Sequence, residues 1–278
     1  MRTISHDTHT GPGQLFLRLT AGSVSVVADP GIDRAVVTLA PARAGDPDAL
    51  DAISRTKASQ AEDLLAITVP PAGHAGGFGQ RVTFGPGGSV SVVQQFGVVT
   101  GEVTGLVINN DGSAVVGSIG GSHGGVRAEV RVPKLQFVDV EAGSAPVTAT
   151  GRLAHLRVET GSGDVSVEDA DTVDLHTGSG AIALGRVRVV KAATECGGIR
   201  ADRLHSGQMR TRNGDIAAAS VTGPLSLTTD FGHVNAHLAA QAPLTAVTGN
   251  GDIRVTAASG IQISDSRLRS DFGRVFTS

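Results

Sequence analysis

Three glycine turns in this sequence end on an aspartate, at Asp164, Asp215 and Asp252. Repeated Gly and Asp are the material of calcium-binding β-rolls. A calcium ion takes about six to eight oxygens at roughly 2.3–2.6 Å. The equivalent positions in the intervening turns hold Ala181, Gly198 and His233. Neighbouring strands lie about 4.8 Å apart, so the three aspartates stand about 10–15 Å from one another. They read as structural turn residues. Asp230-Phe231-Gly232 and Asp271-Phe272-Gly273 repeat the kinase metal-binding triplet. That triplet works only with a Gly-rich loop, a strand lysine and a catalytic loop, which this sequence lacks. Gly120-Gly121-Ser122-His123-Gly124 matches G-x-S-x-G. A nucleophile elbow needs a strand before it and a helix after it; neither is expected, so Ser122 reads as loop. His6 and His9 flank Asp7 near the terminus, with no second ligand cluster to complete a metal site. No catalytic, cofactor-binding or metal residue is assigned, and the chain is read as not an enzyme.

The triplets and aspartates share one frame. Seven times a Thr or Ser is followed five residues later by Val or Ile, from anchors Thr160, Thr177, Thr194, Thr211, Thr229, Thr248 and Ser270. The steps between anchors are 17, 17, 17, 18, 19 and 22 residues. A fixed period of this length in a β-type sequence indicates a solenoid. Two residues before each anchor stand Val158, Leu175, Ala192, Met209, Leu227, Ala246 and Leu268. Five after stand Val165, Ile182, Ile199, Ile216, Val234, Ile253 and Val275. Apolar and polar residues alternate within each unit, the signature of a strand with one buried face. A four-residue turn follows every anchor, with Gly at its third position, where a positive φ suits Gly alone. The unit is therefore strand, turn, strand, turn. A stack of antiparallel hairpins competes with this reading, but it would not pair equivalent positions. Columns that stay apolar predict an all-β parallel β-helix of about 17–19 residues per rung. The Thr column is expected to form side-chain pairs up the stack.

Composition agrees. Aromatics are 3% of the 278 residues, with no Trp and no Tyr, and Gly numbers 38. The core must be Val, Ile, Leu and Ala. A net charge of −3 implies no bulk attraction to nucleic acid or anionic lipid. The single Cys196 excludes an internal disulfide and falls in a turn. No apolar run is long enough to span a membrane, and the start lacks a secretory pattern. A cytoplasmic location is expected.

Residues 1–13 are read as a disordered tail. Residues 14–70 form an N-terminal β region, in which Thr20 to Val26 looks like a rung one residue short. Its one helix is placed at 47–64, opened by Pro47 after an Asp46 cap, with Leu50, Ile53, Leu64 and Leu65 facing the sheet. Residues 71–125 are a Gly-rich insertion with short strands, and 126–278 are the solenoid.

The stretch VRAEVRVP and the units VETGSGDVSVEDA and VDLHTGSGAIAL resemble the DUF4097 family of bacterial β-strand-repeat proteins, known as adhesin-like. The resemblance covers residues 126–278 well and 14–70 loosely. It implies a β-solenoid and brings no catalytic residues with it.

Solvent-facing columns are where a groove would form. Three before the anchor stand Arg157, Asp174, Lys191 and Gln208; one before stand Glu159, His176, Ala193 and Arg210. Arg157, Asp174 and Lys191 read as a surface ion ladder. These columns gather no carboxylates and no aromatic platform, so a carbohydrate-active or small-molecule role is disfavoured. The C-terminal rung is expected to be open. Arg267, Arg269, Asp271 and Arg274 would guard its edge, and Val275 and Phe276 would offer an apolar contact. The expected function is a non-enzymatic scaffold that self-associates or binds a protein partner through Arg269, Asp271, Arg274, Val275 and Phe276. Surface adhesion and carbohydrate binding are the alternatives.

Overall fold

The computed structural model describes residues 1–7, 13–61, 64–72, 125–133, 136–263 and 266–278, with the backbone of strands at 81–84, 90–93, 103–108 and 114–119. In chain order the elements are β1 (Arg2–Asp7), β2 (Gln14–Ala28), β3 (Arg34–Pro41), α1 (Pro47–Ser54), β4 (Lys57–Ala61) and β5 (Leu64–Thr68). Two antiparallel pairs follow, β6 (Arg81–Phe84) with β7 (Val90–Val93), and β8 (Val103–Ile108) with β9 (Ala114–Ile119). Then come β10 (Val126–Val132), β11 (Phe137–Ser144), β12 (Val147–Ser162), β13 (Val165–Ser179), β14 (Ile182–Cys196), β15 (Ile199–Asn213) and β16 (Ile216–Val221). The chain continues through β17 (Leu225–Phe231), β18 (Val234–Leu238), β19 (Leu244–Asn250), β20 (Ile253–Ala257), β21 (Arg267–Phe272) and β22 (Val275–Thr277).

These strands build a β-solenoid of about eight turns. Val165 pairs with Ile182, Ile182 with Ile199, Ile199 with Ile216, Ile216 with Val234, Val234 with Ile253, and Ile253 with Val275, all in parallel register. Like residues therefore lie over one another, as the repeat predicts. From Val165 to Ile253 every member of this column is at most 1% exposed. One aliphatic core runs the length of the stack.

Each turn is locked to the next. Gly163, Gly180, Gly197, Gly214, Gly232 and Gly251 have φ between 138° and 157°, the region that favours glycine. A Cβ on Gly180, Gly197, Gly214, Gly232 or Gly251 would collide with the carbonyl oxygen of the turn glycine one rung earlier. That same oxygen accepts the hydroxyl of the next anchor threonine: Thr194 donates to Gly180 at 3.2 Å, Thr211 to Gly197 at 2.8 Å, Thr229 to Gly214 at 3.0 Å and Thr248 to Gly232 at 2.9 Å. Ser270 donates to Gly251 at 2.8 Å. The expected side-chain pairs between threonines are thus replaced by hydroxyl-to-backbone bonds. The partly buried carbonyl is a stronger claim on the hydroxyl, because leaving it unpaired would carry a desolvation cost.

The first rungs are interleaved in sequence. β2 pairs with β5 and β10 on one side, and with β11 and β12 on the other. One rung is thus assembled from β5 and β10, which stand far apart in the sequence. Ala142 of β11 pairs with both Leu19 of β2 and Thr160 of β12, which sets Leu19, not Thr20, in the anchor column. Val24 then follows five residues later, so this rung is full length rather than one short. Gly22, with φ 141°, is the third residue of its turn.

The N-terminal end is covered. β3 runs antiparallel to β10, β1 to β3, and β4 to β5. Arg2–Asp7, expected in a disordered tail, is the strand β1. His6 pairs opposite Ala35 there; its side chain, all of His9 and Ser122 lie outside the described residues. The helix opens as expected, with Asp46 accepting from the backbone of Asp48 and Ala49 and Pro47 in the first turn. It stops at Ser54, ten residues before its expected end. The Arg2 guanidinium donates to the carbonyls of Ile53, Ser54 and Thr56 at its C-terminus, where a cation is favoured. Beyond it, exposed β4 pairs with β5 instead of extending the helix. Ala49, Ala52 and Ile53 form the buried face, whereas Leu50 is 42% exposed.

Asp139, Arg157, Asp174 and Lys191 are in register on successive rungs. The ladder closes as separate pairs, Arg157 to Asp139 at 3.6 Å and Lys191 to Asp174 at 3.1 Å. Exposed pairs of this kind contribute about 0–1 kcal/mol each. Asp139 also has a buried Oδ1 with no hydrogen-bond partner. Burial pushes its carboxyl above the ordinary value, Glu141 and Glu159 push the same way, and Arg157 and His155 oppose them.

Four substitutions test this packing. Gly197→Ala should cost about 2–6 kcal/mol, because it adds a backbone collision to an unfavourable φ. Gly45→Ala, at φ 79° with nothing within 4 Å of the new methyl, should cost about 1–2 kcal/mol. Thr211→Val should cost about 1–2 kcal/mol by orphaning the Gly197 carbonyl. Urea unfolding of the three variants checks that Gly197→Ala is the most costly of them. For Asp139, a folded pKa above the unfolded value means that the charged form opposes folding at neutral pH. That opposition fades as pH falls through the raised pKa towards the ordinary carboxylate value of about 3.9. Asp139→Asn should therefore have the higher Tm at neutral pH, with the gap closing as the pH is lowered, which calorimetry across pH checks.

Candidate interaction surface

The β21–β22 rung has a strand neighbour on one side only among the described residues. β21 pairs with β19 and β22 with β20. Its other backbone edge has no partner among the described residues, and such an edge is a template for another strand. The rung continues the interior columns: Leu268 stacks on Ala246, Ser270 on Thr248, Val275 on Ile253 and Thr277 on Val255. Interior members of these columns are buried. Here Leu268 is half-buried and Val275 is 44% exposed.

Two of the charged residues of the rung pair with each other. Arg269 donates through Nε to Asp271 Oδ1 at 2.9 Å, and its terminal nitrogen lies 2.9 Å from the same oxygen. The Arg274 backbone N–H donates to Asp252 Oδ1 at 2.9 Å, and its carbonyl accepts from Ile253 at 2.9 Å. Phe276 pairs with Arg254 on the outward face, with the guanidinium carbon 5.7 Å from the ring centroid. The five expected contact residues are thus brought to one rung. Val275 lies on its core-facing side and Phe276 on its outer side. Sequence reasoning passed over Leu268 as a contact, although the column two residues before each anchor already carried it.

The turn aspartates work as structural acceptors. Asp164 Oδ1 accepts the Ala181 backbone N–H at 2.8 Å, Asp215 that of His233 at 2.7 Å, and Asp252 that of Arg274 at 2.9 Å. His233 takes the same part, its Nδ1 accepting from Asp252 N–H at 3.0 Å, so the ring proton sits on Nε2. No group of three or more His, Cys, Asp or Glu gathers as a metal site among the described residues. Cys196 is free and exposed. Phe231 and Phe272 are 57% and 78% exposed in their turns.

The model of one protein family, Toastrack DUF4097, matches residues 113–272, more than half of the chain. Among solved structures, a "putative adhesin" from Parabacteroides distasonis aligns over 100% of this chain and 97% of its own, at TM-score 0.57 and 12% identity. A "putative adhesin" from Parabacteroides merdae aligns over 100% and 95%, at TM-score 0.52 and 10% identity. At these identities the likeness is one of fold. A search of curated proteins gives no match.

Proposed function

We propose that this chain, which belongs to the Toastrack DUF4097 family, is a non-enzymatic scaffold whose β21–β22 rung docks on the same rung of a second copy. The observation that carries this reading is the inward face of that rung. Leu268, Ser270, Val275 and Thr277 continue the interior columns without a charge among them. Exposed edges commonly carry inward-pointing charges, bulges or covering segments that prevent pairing. The opposite end of this stack has such a cover in β3, β4 and α1. An end built like an interior rung suits a partner built the same way, and a second copy supplies one.

Adhesion at a cell surface is the second reading, favoured by the names of the structural neighbours. Among the described residues no helix is long and apolar enough to cross a membrane. Cell fractionation of the native protein separates the readings: a cytoplasmic pool fits the scaffold, and recovery from the envelope or medium fits adhesion.

Size-exclusion chromatography with light scattering tests the docking. The parent protein should show a mass that rises with concentration. Leu268→Lys with Val275→Lys should hold it at the monomer mass while leaving the circular dichroism spectrum intact. Deleting the rung would be a poorer test, because it would uncover Ile253 and Val255 in the same way. A parent that stays monomeric at high concentration, or a double variant that assembles as the parent does, overturns the proposal.

A further inference from the structure

At the corner of the rungs, away from the Gly turns, residues from successive coils line a groove of about 410 Å3. This lies within the usual range for small-molecule sites, about 300–1,000 Å3. Arg152, Asp169, Arg186 and Arg203 stack in register along it. The alternation of sign breaks at the last step, where Arg186 pairs directly with Arg203. Like charges directly opposite each other on neighbouring strands are destabilising.

The nearby carboxylates are already used. Asp169 holds Arg186 at 3.2 Å, and Asp171 holds Arg152 at 3.0 Å. Glu168 accepts the Gly151 backbone N–H at 3.0 Å, and Asp202 lies 3.7 Å from Arg200. Among the described residues, Arg188 and Arg203 have no carboxylate within 4.0 Å, although both line the groove. Beside them His205 Nδ1 lies 3.2 Å from Thr222 Oγ1, and that hydroxyl donates to the Leu204 carbonyl at 3.2 Å. The hydroxyl proton is thereby committed. Nδ1 is then the donor to Thr222, so the imidazole proton is committed to the protein.

We infer that this groove binds an oxyanion, the phosphate or sulfate group of a small ligand, through Arg188 and Arg203. Two guanidinium forks without a carboxylate partner among the described residues match the oxygens of such a group. An anion there would also relieve the repulsion between Arg186 and Arg203. The inference stands apart from the docking of the β21–β22 rung, since the groove lies on earlier coils.

The test is titration of the whole chain with inorganic pyrophosphate, and separately with sodium sulfate, at constant ionic strength. The arginine Nε–Hε signals are followed by NMR. The expected result is a saturable shift of the Arg188 and Arg203 signals. Arg188→Gln with Arg203→Gln should weaken binding at least about tenfold, and Arg210→Gln, an exposed arginine outside the groove, by less than about twofold. Arg203→Lys keeps the charge but loses the fork, and should fall between. Binding of pyrophosphate alone marks the ligand as a phosphate compound, and equal binding of sulfate extends it to sulfate esters. Absence of a saturable shift, or equal weakening by Arg210→Gln, overturns the inference.

Discussion

The carbonyl oxygen of the turn glycine fixes this fold. It occupies the space that a Cβ would need in the next turn, and it accepts the next anchor hydroxyl. One atom thus demands a glycine and a small hydroxyl residue from the following coil. The four turn residues after the anchor cannot change in number without breaking that match. Length varies elsewhere. β13, β14 and β15 run through their corners as strands of 15 residues. In later coils the longer steps are absorbed at 222–224, 239–243 and 258–266, where the strand breaks in two. The constrained side keeps its spacing, and the unconstrained side takes up the extra residues.

This division explains what could be read from the sequence. A column shows itself when one residue type is required at each level, as glycine, threonine and the aliphatics are. The stacking of Val165, Ile182 and Ile199 was legible for that reason. Leu19 escaped because an apolar residue fills the anchor slot there, and the adjacent Thr20 is the more conspicuous match. The rung made of β5 and β10 escaped because its halves stand far apart in the chain and no period connects them. The helix was extended too far because Lys57–Ala61 has no strand-like alternation; all five residues are exposed, and their pairing with β5 is decided by the backbone. The corner groove went unseen because only columns close to the anchor were aligned. Nine residues after the anchors stand Asp169, Arg186, Arg203 and Ser220, and eleven after stand Asp171, Arg188, His205 and Thr222.

A stack of this kind has a simple division of labour. Each coil contacts only its neighbours, so its interior positions answer to packing and leave little freedom for chemistry. Polar side chains near the turns are drawn into the same structural work. Asp164, Asp215, Asp252 and His233 resemble ligand sets in the sequence, yet each accepts a backbone N–H from the coil above. What the architecture leaves available is its ends and its corners.

The two ends differ in kind. At the first, antiparallel strands and a helix cover the edge, and Arg2 secures that helix through three carbonyls. At the other, the inward positions keep the character of the interior while Val275 reaches 44% exposure. A strand edge and an aliphatic column exposed together present both parts of the contact that joins one coil to the next. Arginines at 267, 269 and 274 ring that edge with positive charge, but Arg269 is tied to Asp271 within its own strand. The charge next to the column is thereby partly neutralised, which lowers the repulsion a like rung would meet on approach.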